Sequence, residues 1–500
     1  MRLRPSLSRL HALALVGVLL ELVLLIGVLY PFALWRVPDV VAANRPLARV
    51  LGHEWTGAGR FAGAALLAST LFAVAAWLAG TQAGRGARAL VLAMTVVYSL
   101  SLLPINPVGA QDIYHNIADA RTVWHYRDNP LVLPPAAYPD DPLAGRVPAW
   151  QSTPSLYGPA WYLLAGVVTA IAGEGFLANV LGHKALTALF LFVVTALAIR
   201  LADRLKPGAH MGAAAGVLVG WNPLLQFETA GNAHNDVVMV AFALGTLWAM
   251  SERWWWAVFP LLALAVATKY VLVVLAPVLL VGLLARRAAP RAAVIGSLLL
   301  GVAIGVTAMV PFMIGVDLLD AFWREGCFVS ASPAALLHTL LGRLLPSDGL
   351  QRLTLVRAVL WPMGAAAYVV VLWRLVRAHT EAAVASACFW VIVLVLVLGL
   401  SWFGPWYTML AVPFAALRPG SRAAWMAVVW SAGALLLYVP DTWLSSAEPL
   451  VRQASLVATA FAPPLLVALG YGRVYPRPRA AHPALRVLPA RVTGGRAERA

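Results

Sequence analysis

Long apolar runs, separated by short polar connections, follow one another along almost the whole chain. Many are close to the ~20 residues with which an α-helix crosses a bilayer, and they are continuous rather than alternating as in a membrane β-strand. The pattern therefore predicts an all-α polytopic membrane protein with about 14 membrane helices. The predicted spans are 11–33, 59–80, 86–104, 176–200, 209–227, 236–251, 254–269, 271–285, 291–313, 353–376, 383–401, 406–417, 422–440 and 450–471.

Arginine clusters in the connections predict how these helices are oriented, because cytoplasmic loops of membrane proteins are enriched in Lys and Arg. If every cluster lies in the cytoplasm, neighbouring clusters must be separated by an even number of crossings. The spans above satisfy this condition with both termini cytoplasmic, and the shorter apolar piece 158–173 is then a re-entrant or interfacial segment. In the alternative topology, 158–173 and 176–200 form a hairpin, which places Arg200 and Arg204 outside.

The preferred topology gathers the unusual polar residues on the extracytoplasmic side. Ionisable, amide and aromatic side chains are concentrated there, whereas the cytoplasmic connections hold little except arginine, proline and glycine. We therefore expect the functional surface to be extracytoplasmic. The connections on that side are 105–158, 228–235, Lys269–Tyr270, 314–352 and 402–405.

Composition narrows the classes of function. The chain has 61% apolar and 12% charged residues and a mean hydropathy of +0.80, whereas about 25% of residues are charged in soluble proteins. A net charge of +16 would suggest nucleic acid for a soluble chain, but the arginines lie in short membrane connections, so we expect no nucleic-acid partner. The sequence has no HExxH, paired CxxC, Walker or glycine-rich nucleotide motif. If the protein transfers a chemical group, this argues against ATP or a cytosolic nucleotide sugar as the direct donor of that group.

The first candidate for chemistry is Asp112, which lies with Tyr114 just beyond the third predicted span. A carboxylate at the boundary between lipid and water can meet both a lipid headgroup and a water-soluble partner. It can act there as a general base that removes a proton from an attacking hydroxyl. The alternative interpretation is structural, because Asp is a favoured N-cap and the sequence IADARTVWHY has a helical pattern.

A second group of polar residues interrupts apolar sequence in GWNPLLQFETAGNAHNDVVMVAF, residues 220–242. They fall at an expected membrane boundary, where polar groups are costly and tend to be functional. Asn232 or Asn235 can be explained as a helix cap. Capping requires neither His234 nor Asp236, so these two are the stronger functional candidates and Glu228 is a weaker one.

Three further groups of residues lie on the same predicted side. Lys269, followed by Tyr270, is a compact cation that suits a phosphate at headgroup level, although lysines often end membrane helices there without a function. Trp406 and Tyr407 can stack on sugar rings or belong to the aromatic belt of the membrane interface. Arg324 can neutralise a leaving phosphate or pair with a neighbouring carboxylate at the surface.

Seven short motifs follow one another along the chain in this order: Asp112-Ile113-Tyr114, Asn129-Pro130, Tyr157-Gly158-Pro159, Asn222-Pro223, His234-Asn235-Asp236, Lys269-Tyr270 and Trp406-Tyr407. Their order resembles the GT-C superfamily of integral-membrane glycosyltransferases. The resemblance is closest to the bacterial mannosyltransferases that use polyprenyl-phosphate mannose. It extends over residues 86–417 and depends on the order of the motifs together.

The resemblance implies inverting transfer of a sugar, with mannose as the first candidate, from a polyprenyl-phosphate donor to an envelope glycan or glycolipid acceptor at the extracytoplasmic face. It makes Asp112 the catalytic base. Because Tyr114 replaces the second Asp of the D-x-D motif with which some GT-C enzymes bind a divalent metal, we expect no metal and no other cofactor. The implied substrate-binding residues are Tyr114, Tyr157, His234, Asn235, Asp236, Lys269, Tyr270, Arg324, Trp406 and Tyr407.

The resemblance also suggests a division of the chain. The expected parts are N-terminal membrane helices in 1–85, a GT-C-like catalytic membrane module in 86–417 with the extracytoplasmic loop 105–158, C-terminal membrane helices in 418–475 and a disordered basic cytoplasmic tail in 476–500.

Two other functions stay open at this point. A transporter or flippase of lipid-linked oligosaccharide needs ionisable residues along a path through the bundle, for which Glu21, His183 and Lys184 are candidates. A polymerase or ligase of surface polysaccharide would use the outer loop 314–352 with its arginines instead of an early acidic loop.

Overall fold

A computed structural model describes residues 5–36, 46–80, 84–148, 150–206, 208, 210–286, 289–315 and 327–474. Arg324 and the predicted tail 476–500 lie outside the described residues. In chain order, the α-helices are α1 (Pro5–Leu24), α2 (Tyr30–Phe32), α3 (Pro46–Leu51), α4 (Trp55–Ala79), α5 (Arg85–Leu102), α6 (Asp112–Trp124), α7 (Pro159–Ala172), α8 (Phe176–Leu205), α9 (Gly212–Gly220), α10 (Pro223–Gln226), α11 (Asp236–Ser251), α12 (Val258–Thr268), α13 (Ala276–Arg286), α14 (Arg291–Met309), α15 (Pro333–Leu344), α16 (Gly349–Ala378), α17 (Glu381–Leu394), α18 (Thr408–Ala416), α19 (Arg422–Leu436), α20 (Tyr438–Trp443) and α21 (Pro449–Val474). Short 3₁₀ or π-helical segments lie at Leu25–Leu29, Pro135–Ala137, Ala144–Arg146, Phe227–Gly231, Trp255–Ala257, Tyr270–Leu275, Val310–Phe312, Val395–Gly399 and Pro405–Tyr407.

The long apolar helices confirm the predicted all-α, multi-pass architecture. Within the described residues, nine helices are long and apolar enough to cross a membrane, and a tenth crossing results if the bent pair Pro223–Gly231 and Asp236–Ser251 is one broken span. The predicted spans 254–269 and 271–285 correspond to the shorter apolar helices Trp255–Thr268 and Tyr270–Arg286, and the predicted re-entrant or interfacial piece 158–173 corresponds to Pro159–Ala172. The count of about 14 crossings therefore stays a prediction.

The segment predicted as one span over 209–227 is divided into α9 and α10. Asn222 begins α10, because its side-chain oxygen accepts hydrogen bonds from the backbone N–H groups two and three residues later, at 3.1 and 3.4 Å. Pro223 occupies the first helical position. A backbone N–H at this position has no hydrogen-bond partner within the helix, so its absence in proline costs nothing. The Asn-Pro pair is a helix start within a continuous apolar pattern.

A sharp bend follows α10 and the π-helical segment Phe227–Gly231. The chain turns by 118° before α11 begins at Asp236. Ala233 in this turn has a φ of 60°, in the left-handed region that residues other than glycine rarely adopt. The bend directs residues 232–236 into the interior of the protein, where all of them are buried.

The helices around this bend form the centre of the bundle. Every residue of α9 and α10 is buried, as are most residues of α11. A helix that is apolar and buried on all faces belongs in the interior of a bundle. The outer long helices instead expose many Leu, Ile and Val side chains, as expected for surfaces in contact with lipid.

Lys184, buried in α8, holds the start of loop 105–158. Its ammonium group donates hydrogen bonds to the backbone carbonyls of Leu103, at 3.2 Å, and Ile105. These carbonyls follow the end of α5, where helix carbonyls have no partner within the helix. Lys184, for which the sequence suggested only a place along a transport path, therefore fixes the point at which the loop leaves the bundle.

The middle of loop 105–158 is held by a buried ion pair. Arg121 donates to Asp141 from two nitrogens, each at 2.7 Å, and Asp141 also accepts the backbone N–H groups of Leu143 and Ala144. Burial alone raises the pKa of Asp141, but these bonds to its charged form lower the pKa overall. The loop is thus an ordered part of the fold that can position side chains.

Candidate active site

A cavity of about 220 Å³ lies where loop 105–158 meets segments 327–332 and 401–407. The two segments are joined because Ser330 donates its N–H to the carbonyl of Ser401 at 3.2 Å and accepts the N–H of Phe403 at 3.0 Å. The described lining combines a carboxylate and an ammonium group with aromatic rings. Lining side chains include Asp112, Tyr157, Lys269, Trp402, Trp406 and Tyr407.

Asp112 is the first residue of α6, and its carboxylate faces the cavity. Gln111 occupies the N-cap position without a side-chain cap bond, so Asp112 is not the helix cap of the alternative interpretation. Its Oδ2 accepts a hydrogen bond from the Tyr157 hydroxyl at 3.4 Å and lies 3.8 Å from Nε2 of His234. The Asp112 side chain is 24% exposed, so its carboxylate is accessible from the cavity.

His234 is held by contacts to one ring nitrogen and one ring face. Its Nδ1 lies 3.0 Å from a carboxylate oxygen of Glu228, and its ring stacks on Trp406 with centroids 4.3 Å apart and an interplanar angle of 14°. Nε2 is directed towards Asp112 and is buried with no hydrogen-bond partner among the described residues. A buried polar atom without a partner is costly, so the position of Nε2 beside Asp112 calls for an explanation.

Glu228 lies behind His234 and is fully buried. Its carboxylate accepts hydrogen bonds from the Tyr438 hydroxyl at 2.8 Å and from the side-chain amide of Asn232 at 3.1 Å. Asn232 in turn accepts the backbone N–H of Gly109 at 3.1 Å, which ties the bend before α11 to loop 105–158. Glu228 is the weaker candidate of its group in the sequence, and no sequence signal indicates Tyr438, which is 210 residues away.

Lys269 ends α12 and pairs with Asp236 at the start of α11. Its Nζ lies 3.0 Å from Oδ1 of Asp236 and also lies over the rings of Tyr157 and Tyr407, 5.6 and 5.0 Å from their centroids. The side chain is 15% exposed, so it is not a lysine that merely extends into solvent at the interface. Oδ2 of Asp236 and the side-chain nitrogen of the adjacent Asn235 are buried and have no hydrogen-bond partner in the described part of the chain.

Tyr157 lies between Asp112 and Lys269, and its backbone is fixed from two sides. Its carbonyl accepts hydrogen bonds from the hydroxyls of Tyr162, at 2.8 Å, and Tyr270, at 3.3 Å. Burial raises the pKa of the Tyr157 hydroxyl well above its ordinary value, and the negative charge of Asp112 adds to this rise. The hydroxyl therefore stays protonated and can donate to an anion.

Five of the predicted site residues are not among the side chains that line the cavity, namely Tyr114, His234, Asn235, Asp236 and Tyr270. Tyr114 is buried in α6 and stacks on Phe176 with ring centroids 5.8 Å apart. Tyr270 contacts the backbone of Tyr157, so its contribution is to the position of that residue. Asn235 occupies the N-cap position of α11, but its side chain makes no cap bond.

His115 lines the cavity, although the sequence did not single it out. Its ring nitrogens contact Asp119 at 3.1 Å and the carbonyl of Thr153 at 3.0 Å. Burial lowers the pKa of His115, but the adjacent charge and hydrogen bond of Asp119 outweigh it and raise the pKa to about 9. Sequence spacing offered one signal, because His115 and Asp119 share a helix face at i and i+4.

The described residues contain no group of three or more His, Cys, Asp or Glu side chains arranged to hold a metal ion. The site as described is made of one accessible carboxylate, a lysine, an imidazole and aromatic rings. The expectation of a metal-independent reaction stays a prediction.

Sequence comparisons relate the chain to known proteins. The sequence model of the MptA_B family, described as alpha-(1->6)-mannopyranosyltransferase, N-terminal domain, matches residues 14–286. Alpha-(1->6)-mannopyranosyltransferase A of Mycobacterium tuberculosis is 26% identical over 431 residues, which cover 80% of this chain and 80% of that protein.

Two solved structures of oligosaccharyltransferases from Archaeoglobus fulgidus are also similar. The apo form aligns with a TM-score of 0.37 and 14% identity. The enzyme AglB, in complex with an inhibitory peptide and a dolichol-phosphate, aligns with a TM-score of 0.35 and 13% identity. Each alignment covers 76% of this chain and 55% of the solved chain, so the chain spans about half the length of these structures.

The family match covers more than half of the chain and includes Asp112, His234 and Lys269. It confirms the resemblance to bacterial mannosyltransferases that the order of the motifs suggested. The chain is thus a multi-pass membrane glycosyltransferase, and it belongs to the MptA_B family.

Proposed function

We propose that this chain transfers mannose, with inversion, from a polyprenyl-phosphate donor to a hydroxyl of an envelope glycan or glycolipid at the extracytoplasmic face of the membrane. The observation that carries the proposal is the convergence of three distant parts of the sequence. Asp112 and Lys269 line one cavity. His234 is buried beside it, 3.8 Å from Asp112 and stacked on Trp406, which also lines the cavity. The family and its mycobacterial relative favour mannose as the sugar. The positions of the arginine clusters favour the extracytoplasmic face.

Asp112 is the general base in this proposal. The acceptor hydroxyl gives its proton to the carboxylate while its oxygen attacks the anomeric carbon of the donor sugar, and the bond from that carbon to the phosphate oxygen breaks on the opposite side. A single displacement of this kind needs only one carboxylate, because phosphate leaves without protonation by a second acid. The partial exposure of Asp112 at the cavity fits this role.

Lys269 stabilises the leaving phosphate. Its ammonium group has three donors, of which Asp236 receives one at 3.0 Å, so the remaining donors are available to an anion in the cavity. The surrounding rings of Tyr157 and Tyr407 exclude water, which strengthens the attraction between the ammonium group and developing negative charge. Asp236 keeps the ammonium group in place before the donor binds.

The aromatic rings of the cavity provide contacts for the sugars. Trp402, Trp406 and Tyr407 lie against one another, with ring centroids 5.6 to 5.8 Å apart, and all three line the cavity. Apolar and aromatic walls with a few fixed polar groups are typical of small-molecule sites. Asn235 and Asp236 do not line the cavity, and Asp236 contributes through its ion pair with Lys269.

The alternative function, transport of a lipid-linked oligosaccharide, receives no support from the residues that suggested it. Glu21 accepts a hydrogen bond from Ser101, His183 contacts the carbonyl of Asn179 at 2.8 Å, and Lys184 binds carbonyls at the end of α5. None of the three lines the cavity. Each has a local structural partner instead of a place along a common path.

Membranes that contain the full-length chain, supplied with radiolabelled polyprenyl-phosphate mannose and octyl α-mannoside, test the proposal. We expect transfer to the mannoside, loss of transfer in Asp112→Asn, and retention in the matched variant Asp128→Asn, whose carboxylate is exposed in the same loop and accepts a hydrogen bond from Tyr138. Wild-type rates in Asp112→Asn, or transfer only from a nucleotide sugar, would overturn the proposal.

A further inference from the structure

The proposed function leaves a buried carboxylate unexplained. Glu228 lies behind His234, is fully buried and is not among the residues that line the cavity. A carboxylate in such a place has lost its hydration, which is costly unless neighbouring groups compensate for it. The hydrogen-bond partners of Glu228 therefore indicate its function.

We propose that Glu228 is a positioning residue that makes His234 the final acceptor of the proton that Asp112 removes from the acceptor hydroxyl. The inference rests on the proposed function, because it requires Asp112 to be the base. In this relay the proton passes from the hydroxyl to Asp112 and then to Nε2 of His234. Asp112 is thereby a carboxylate again, and the leaving phosphate keeps the electron pair of the broken bond to the anomeric carbon.

The hydrogen bonds of His234 show which of its two ring nitrogens carries the proton of the neutral imidazole. A carboxylate can only accept hydrogen bonds, so the nitrogen that contacts Glu228 at 3.0 Å, Nδ1 of His234, must carry a hydrogen. Nε2 is then the nitrogen through which His234 exchanges a proton with Asp112. The hydroxyl of Tyr438 and the amide of Asn232 hold the Glu228 carboxylate, so that it cannot rotate away from the ring.

Burial and stacking direct the other nitrogen at Asp112. Nε2 of His234 is buried without a hydrogen-bond partner in the described part of the chain and lies 3.8 Å from Oδ2 of Asp112. The stacked ring of Trp406 restricts rotation of the imidazole. The distance exceeds a hydrogen bond, as is common for catalytic contacts before substrate is bound, and a small movement of Asp112 closes it.

Charge explains why the proton moves on to His234. The imidazolium that forms lies between two carboxylates, Asp112 and Glu228, and is stabilised by both. A neutral imidazole backed by a buried carboxylate is the arrangement in which a histidine accepts a proton during catalysis. Transfer to His234 also keeps the proton away from the leaving phosphate at Lys269.

The variant Glu228→Gln tests the relay in the purified full-length protein, with polyprenyl-phosphate mannose and octyl α-mannoside as substrates. The neutral amide keeps the size of the side chain but removes the charge that favours the imidazolium. We expect kcat to fall by about 100-fold while the KM for the donor changes by less than about 3-fold. Because His234 must be neutral at the start, we also expect the acid limb of kcat/KM to move to lower pH.

If Glu228 has only a structural role, Glu228→Gln lowers the amount of folded protein and leaves the acid limb of kcat/KM at the same pH. The variant Tyr438→Phe separates the two roles, because it removes a hydrogen-bond donor from Glu228 and so makes this carboxylate attract a proton on His234 more strongly. We expect its acid limb to move to higher pH, opposite to Glu228→Gln. The matched control is Glu21→Gln, which removes another carboxylate from a membrane helix. Glu21 contacts Ser101 and does not line the cavity, so this variant should leave the profile unchanged.

A double-mutant cycle completes the test. If Glu228 acts through His234, adding Glu228→Gln to His234→Gln lowers kcat by less than about 3-fold, because the two residues act as a unit. Additive effects, or an unchanged rate and profile in Glu228→Gln, would overturn the relay. Loss of transfer in Asp112→Asn together with an unaffected Glu228→Gln overturns the relay alone, whereas wild-type transfer in Asp112→Asn overturns the proposed function as well.

Discussion

Gly158 donates its backbone N–H to the carbonyl of Thr268 at 3.0 Å and packs against the backbone of Ala267. The approach is so close that a Cβ atom at position 158 would overlap the carbonyl oxygen of Ala267. This contact brings Tyr157, the residue before Gly158, next to Lys269, the residue after Thr268. The glycine therefore sets the distance between two residues of the cavity.

Gly158→Ala should disrupt the site, because a backbone carbonyl cannot move aside as a flexible side chain can. We expect a loss of about 1–3 kcal/mol in the free energy of unfolding, from overpacking, and a fall of about 10-fold or more in transfer, as Tyr157 is displaced. Gly145→Ala is the matched control, because a Cβ at position 145 in the same loop meets nothing within 4 Å. Thermal unfolding in detergent and the transfer assay measure the two effects, and equal behaviour of the two variants would contradict the argument.

The ion pair between Lys269 and Asp236 allows the contribution of Lys269 to the stability of the fold to be measured separately from its contribution to transfer. Lys269→Gln leaves a buried carboxylate without its cation, which costs about 3–5 kcal/mol of unfolding free energy, and we expect transfer to fall by about 100-fold. Adding Asp236→Asn removes the unpaired charge, so the double variant should recover much of the stability but not the transfer. Recovery of both would mean that Lys269 serves only the fold. Lys206→Gln, a lysine after the end of α8, is the control.

The long membrane helices were predictable from the sequence, because a continuous apolar run near the thickness of a bilayer has few alternative structures. The span predicted at 176–200 begins where α8 begins, at Phe176. The central helices were harder to predict, because buried helices are apolar on all faces and their breaks leave no change in hydropathy. Asn222-Pro223 shows that local capping chemistry, which hydropathy does not record, divides such a run.

The same distinction applies to the candidate site. Asp112, His234 and Lys269 could be selected because each is an ionisable residue at the end of an apolar run, where its burial is costly. The contact between Glu228 and Tyr438 could not be predicted in this way, since it joins positions 210 residues apart and depends on how the segment Phe227–Gly231 packs against α20. Periodicity reports which face of a helix is buried, but it does not report what that face contacts.

The contact between His115 and Asp119 makes part of the protein's stability dependent on pH. The pKa of His115 is raised from 6.5 to about 9 in the folded protein, so its contribution is fully present below about pH 6.5 and is lost as the pH rises through 9. We expect the unfolding temperature of the wild type to fall between pH 7 and pH 10 by more than that of His115→Gln. Parallel pH dependence in the two proteins would contradict this assignment. His125→Gln, at the exposed end of α6, is the matched control.

Trp402 offers a test of how the cavity binds the acceptor. Its ring lies 5.6 Å from that of Trp406 and 6.2 Å from that of Phe328, so it forms the part of the aromatic wall between the two. Trp402→Ala removes a stacking surface, a loss on the order of 1 kcal/mol, and we expect the KM for octyl α-mannoside to rise by about 3- to 10-fold. The KM for the lipid donor should change little, because we propose that its phosphate binds at Lys269. Trp77→Ala, which removes an exposed tryptophan from α4, should alter neither constant, and an equal rise in both constants for Trp402→Ala would place the acceptor elsewhere.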